Sequence, residues 1–150
     1  MTAVPAAVEI ERVAAINDEH VQAFARLLPQ LSTSAAPLAP AALAVIAGAP
    51  GNHLLVARVG GAIVGACLLA VFPAPTGTRA LLEDVVVDEA ARGAGVGTAL
   101  VDAALAAAAA AGARTVDLTS RPSREAANRL YARCGFVRRD TNVWRRELRS

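Results

Sequence analysis

Val85-Val86-Val87-Asp88-Glu89-Ala90-Ala91-Arg92-Gly93-Ala94-Gly95-Val96-Gly97-Thr98 carries a β-branched apolar strand into a glycine loop and then into a long Ala-rich run of helical composition. Alternating glycines remove the Cβ atoms that would hold an anion off the backbone. The helix that follows offers unpaired N–H groups and the positive end of its dipole. The stretch therefore reads as a phosphate cradle between a strand and a helix. With Thr115 to Thr119 as a strand beyond the helix, the unit 80–119 requires a right-handed crossover and one parallel strand pair.

Upstream, Val8 to Val13 alternates as a short strand, and Asn17-Asp18-Glu19 starts a helix with Val21, Phe24, Leu28 and Leu31 at helical spacing. Ser32-Thr33-Ser34 breaks it. Pro37 and Pro40 open a second helix carrying Leu43 and Ile46, which Gly48, Pro50 and Gly51 end. Leu54 to Val59 and Ala62 to Phe72, joined by Gly60-Gly61, form a hairpin. Pro73 to Gly77 reads as a loop, Ala80 to Val87 as a strand, and Gly97 to Ala111 as a helix stopped by Gly112. Ser123 to Arg133 is a last helix, Cys134-Gly135-Phe136 a turn, and Val137 to Arg139 with Val143 to Glu147 a closing antiparallel pair. The order is β-α-α-β-β-β-α-β-α-β-β. The fold class is α/β, a mixed, largely antiparallel sheet flanked by about four helices.

At 150 residues and 55% apolar composition the chain suits a single domain spanning 1–150. It has no strongly apolar run of about 18 residues to span a membrane. Met1 to Val13 lacks the basic start and apolar stretch of a secretory signal, so a cytoplasmic protein is expected. Cys67 and Cys134 are too few for a disulfide framework and match no metal spacing. They read as small buried hydrophobes, and His20 and His53 read as ordinary surface residues. Every basic side chain is Arg. Residues 1–113 hold five Arg against nine acids, whereas 114–150 hold ten Arg against four. That excess suits a polyanionic ligand. A net charge of +2 and 3% aromatic content argue against a nucleic-acid partner.

The glycine register decides which phosphate. A dinucleotide-binding G-x-G-x-x-G from Gly93 needs Gly at Thr98, and from Gly95 it needs Gly at Leu100. A nucleotide P-loop fails as well, because no Gly-Lys-Ser/Thr follows. The pattern that fits is Gln/Arg-x-x-Gly-x-Gly/Ala, satisfied by Arg92 to Gly97. It lies between Leu82-Glu83-Asp84-Val85-Val86-Val87-Asp88 and Ala127-Asn128-Arg129-Leu130-Tyr131-Ala132-Arg133-Cys134-Gly135-Phe136. Three motifs in this order, over residues 80–136, resemble the GNAT superfamily of N-acetyltransferases.

The resemblance implies acetyl transfer from acetyl-CoA to a primary amine of a small molecule or peptide, by direct attack in a ternary complex. The pyrophosphate would lie on the N–H groups of Gly93, Ala94, Gly95, Val96, Gly97 and Thr98, with Arg92 nearby. Pantetheine would run along Val85, Val86 and Val87, where the family carries a bulge and a splayed strand pair. Tyr131, the only tyrosine, would protonate the leaving thiolate, a role that suits a phenol of pKa near 10. Glu83 would act as base, directly or through water, or serve only a structural hydrogen bond. Strict alternation puts Glu83 and Asp84 on opposite faces, so one alone would face the substrate. Seven residues before the tyrosine, where many members carry Asn, this chain has Arg124, placed to grip a phosphate or a pantetheine carbonyl. Asn128 is off the register at which that role would carry over. No metal is implied, and the C-terminal strands would offer a homodimer surface. A non-catalytic acyl-CoA-binding module would share the loop but would not need Tyr131 or Glu83.

Overall fold

The computed structural model describes residues 7–149, so Met1 to Ala6, part of the stretch read as lacking a secretory signal, lie outside the described residues. Strand β1 (Val8–Arg12) is followed by helices α1 (Asp18–Leu31) and α2 (Pro40–Gly48). Strands β2 (Asn52–Val59), β3 (Ala62–Ala74) and β4 (Gly77–Val87) come next, then a 3-10 turn at Glu89–Ala91 and helix α3 (Val96–Ala110). Strand β5 (Val116–Asp117) and helix α4 (Glu125–Arg133) complete the order. The five strands lie as β1-β2-β3-β4-β5, antiparallel except for the parallel β4–β5 pair that the crossover through α3 requires. Gly60 and Gly61, at φ 59° and 85°, supply the two left-handed positions of the β2–β3 hairpin.

Two apolar clusters cover the two faces of the sheet. Phe24, Leu27 and Leu43 from α1 and α2 pack with Leu54, Val56 and Ala66. On the other face Leu100, Val101, Ala104 and Ala108 of α3, with Tyr131 of α4, pack with Leu55, Cys67 and Leu69. The middle of β2 is buried on both faces, which is why it reads as an unbroken apolar run rather than an alternation. Alanine on α3 keeps the helix close to the sheet, and Gly65 lets its first turn sit down. A Cβ at Gly65 would lie 3.0 Å from Val96 Cγ1 and 3.1 Å from Leu100 Cδ1. Leu27, Leu69 and Leu100 are fully buried, and truncating such a leucine costs on the order of 2–5 kcal/mol.

Four sequence expectations need correction. Pro73 to Gly77 is not an open loop, because β3 and β4 pair out to Ala74–Gly77 across a tight turn. Pro73 is tolerated because the β2 ladder ends at Asn52–Ala70, so its missing N–H removes no bond on that side. The closing pair at Val137 to Arg139 and Val143 to Glu147 does not form, and residues 137–149 hold no strand. The edge strand β5 is only two residues long, and Val137, Val143 and Trp144 stay exposed. His20 is buried, not a surface residue. Its backbone N–H donates to Asn17 Oδ1 at 3.0 Å and its Nδ1 accepts from the Asn17 N–H at 3.1 Å, a reciprocal cap that holds the start of α1.

The fourth correction concerns Glu83 and Asp84. Between Ala66–Val86 and Leu68–Glu83 the β3–β4 register slips, so β4 carries one extra residue opposite Cys67. Asp84 takes a left-handed φ of 52° there. Alternation is thereby reset: Leu82 and Val85, not Leu82 and Asp84, join the α3-side core, and both Glu83 and Asp84 are exposed. Asp84→Gly should equal or exceed the wild type in stability, whereas Asp84→Val should lose about 1–2 kcal/mol through its branched side chain at positive φ. Thermal melting checks this, and equal losses from both variants would contradict a left-handed Asp84.

Candidate functional site

The bulge opens the site. Beyond Ala80–Val116 and Leu81–Asp117 the β4–β5 pairing stops, so the outer edge of β4 from Leu82 onward has no partner strand. Val85, Val86 and Val87 line a cleft of about 840 Å³ along that edge, with the glycine loop and α3 at its end and α4 as its far wall. Gln30 and Leu31, at the end of α1, close it on the remaining side.

Side-chain hydrogen bonds fix the approach to the glycine loop. Asp88 Oδ1 accepts from the Ala90 N–H at 3.2 Å, and Oδ2 accepts from Arg26 Nε at 3.2 Å. The Ala90 bond first, and Arg26 and Gln30 further, hold the Asp88 carboxyl below its ordinary range. Gln30 Oε1 accepts from the Glu89 N–H at 2.8 Å, so α1 grips the turn before the loop at two points. Gly93 and Gly95 then take φ 86° and 79°, which glycine adopts without a Cβ penalty. Gly97 makes a different contact: a Cβ there would lie 2.9 Å from Leu130 Cδ2, so the end of that leucine would have to shift where α3 meets α4. No side chain caps α3. Its first-turn N–H groups therefore remain available to a ligand.

Tyr131 stands on the opposite wall. Its ring is buried, lines the cleft and packs edge-on against Phe136 with centroids 5.9 Å apart. Burial raises the hydroxyl above the ordinary tyrosine range, and the Arg124 guanidinium draws it partly back. No hydrogen bond among the described residues engages the hydroxyl. Cys67, on β3 opposite the bulge, is buried and its thiol is pushed up to about 12 by desolvation, so it is held as an inert thiol.

The residues singled out from sequence separate into two groups. Val85, Val86, Val87, Arg92, Gly93, Gly95, Val96, Gly97, Thr98, Arg124 and Tyr131 meet in the one cleft. Ala94, Asn128 and Glu83 are not part of its lining. Asn128 instead donates its side-chain N–H to the Arg121 carbonyl at 3.0 Å, tying α4 to the segment before it. Glu83 lies on the same strand as the lining valines, two residues before Val85, and is exposed. Sequence reasoning missed Gln30, Arg129 and Arg133, which also line the cleft. The arginine excess after residue 113 was the signal for the two arginines, and nothing singled out Gln30. Among the described residues, no group of three or more His, Cys, Asp or Glu could hold a metal ion. No helix there is long and apolar enough to cross a membrane.

The sequence matches the family model described as Acetyltransferase (GNAT) family over residues 12–136. No curated protein matches it. A protein assigned as an acetyltransferase from Agrobacterium tumefaciens superposes with a TM-score of 0.82 at 27% identity, covering 93% of this chain and 99% of that one. An acetyltransferase from Trypanosoma brucei gives 0.76 at 29% identity over 95% and 100% of the two chains. A transcriptional regulator from Bacillus halodurans gives 0.81 at 25% identity over 94% and 100%.

Proposed function

This chain belongs to the GNAT family of acetyltransferases, and from that premise we propose that it is a single-domain N-acetyltransferase moving acetyl from acetyl-CoA to a primary amine. The observation that carries the proposal is the unpartnered edge of β4 running into an uncapped helix start, with Tyr131 facing it across the cleft. An open strand edge can bond the amide groups of pantetheine as a further strand would. The Val96 to Thr98 N–H groups and Arg92 suit the pyrophosphate at its end.

Chemistry follows from that placement. The neutral amine attacks the thioester carbonyl, forming a C–N bond and a tetrahedral oxyanion. Collapse breaks the C–S bond, and Tyr131 gives its proton to the departing thiolate. A raised pKa keeps that proton on the phenol throughout the neutral range. Direct attack is favoured over an acetyl-cysteine intermediate because Cys67 is buried and protonated. Positioning two reactants in one cleft supplies much of the rate.

Glu83 sits outside the cleft lining, so its role as base runs through a water between the carboxylate and the amine. Glu83→Gln should lower kcat/KM about tenfold or more at neutral pH, with the loss shrinking as pH rises and the free amine deprotonates by itself. A pH–rate profile parallel to wild type would remove Glu83 from proton transfer. The same proposal places the protein in the cytoplasm without a nucleic-acid or membrane partner. It leaves the exposed C-terminal segment, with Val137, Val143 and Trp144, as the surface for a homodimer.

The donor is tested by thermal shift with acetyl-CoA, NAD and ATP separately. Stabilisation by acetyl-CoA alone is expected. A larger shift with NAD or ATP would assign the loop to a nucleotide instead.

A further inference from the structure

Acetyl-CoA carries two separate anionic groups, a pyrophosphate and a phosphate monoester on its ribose, whereas the glycine loop offers one cradle. The cleft holds more positive charge than that cradle uses. Arg92, Arg124, Arg129 and Arg133 all line it, against Glu125 as the one acid in the lining.

Arg129 and Arg133 stand apart from the other two. Leu130 faces the first turn of α3 at Gly97, and an α-helix turns by roughly 100° per residue. Tyr131 and Ala127 therefore fall on one flank of the Leu130 contact, and Arg129 and Arg133 on the other. Both arginines are exposed and four residues apart on α4, a like-charge spacing that weakens a helix by a few tenths of a kcal/mol. Neither takes part in any ion pair or side-chain hydrogen bond among the described residues. That holds even though Glu125 precedes Arg129 by the favourable four-residue spacing. Two unpartnered guanidinia, kept side by side at a cleft wall against their mutual repulsion, form a fork suited to a dianionic phosphate.

We propose that Arg129 and Arg133 form a second anion subsite that takes the ribose 3′-phosphate of the donor and so distinguishes acetyl-CoA from its 3′-dephospho form. The subsite rests on acetyl-CoA as the donor. It is distinct from the Gly93 to Thr98 cradle, from which it is separated by the Leu130 contact.

Titration calorimetry at 0.15 M salt, with acetyl-CoA and 3′-dephospho-acetyl-CoA against wild type and the double variant Arg129→Gln/Arg133→Gln, tests it. Wild type should bind acetyl-CoA about tenfold or more tighter than the dephospho form. The double variant should lose that preference while its affinity for the dephospho form stays within about twofold, because only the monoester contact is removed. Its melting temperature should match or exceed wild type, since a like-charge pair is relieved. Equal weakening toward both ligands would reduce the pair to a general positive field, and a retained preference would place the monoester elsewhere; either result overturns the subsite. Wild type binding neither ligand would instead overturn the donor assignment itself.

Discussion

Tyr131→Phe is expected to lower kcat by about 100-fold or more while acetyl-CoA affinity stays within about twofold, because the change deletes the proposed proton donor and keeps the ring. The ring is what holds the position: it is buried against Phe136 and the α3-side core, and Phe preserves both contacts. Among the described residues nothing bonds the hydroxyl, so removing it leaves no orphaned partner there. Pre-steady-state measurement should show slowed release of the thiol with unchanged donor binding. An unchanged kcat would take Tyr131 out of the chemistry and reduce it to packing.

The largest effect on stability from adding a single methyl group is expected at Gly51. Its φ is 84°, and a Cβ there would lie well inside the van der Waals contact distance of the Val71 carbonyl oxygen. That oxygen cannot retreat, because Val71 is held by its own N–H to the Gly51 carbonyl at 2.9 Å and by the β3–β4 ladder at Ala80. Gly51→Ala should therefore lose about 3 kcal/mol or more, the cost of a left-handed alanine added to that of overpacking. Gly112, at φ 89° with nothing within 4 Å of its Cβ position, is the control: Gly112→Ala should lose only about 1–2 kcal/mol. Urea unfolding of the two variants separates backbone strain from steric collision, and equal losses would contradict the close approach at Val71.

What the sequence revealed and what it hid divide along physical lines. Gly60-Gly61 between apolar runs, the capped start of α1 at Asn17 and the strand–loop–helix at Val85 to Thr98 are local signals, each encoded in a few neighbouring residues. The bulge in β4 was expected from the family resemblance alone; no local residue signal places it at Asp84, because it is set by the register slip against Cys67 on β3. His20 looked like a surface residue because its burial depends on β1 lying alongside, with Glu11 Oε1 3.4 Å from its Nε2. The closing pair at 137–147 failed for a different reason: its few apolar residues, Val137, Val143 and Trp144, would need an edge to cover them, and β5 is only two residues long. In the site, the motif residues Arg92 to Thr98 and Tyr131 were readable one by one. Arg129 and Arg133 became visible only once the Gly97–Leu130 contact had set the roll of α4 against α3.

The central claim is that the cleft beside β4 transfers acetyl from acetyl-CoA to an amine. The most direct measurement incubates the protein with acetyl-CoA and a panel of amines, namely peptide N-termini, lysine side chains, polyamines, aminoglycosides and amino acids, and follows release of free coenzyme A. The protein contains no lysine, so acetylation of its own side-chain amines adds no background. Release that depends on one amine class, and that falls with Tyr131→Phe, is the expected result. Silence across every class, from a protein that binds acetyl-CoA, would contradict the claim and make the cleft a site that holds the donor without using it.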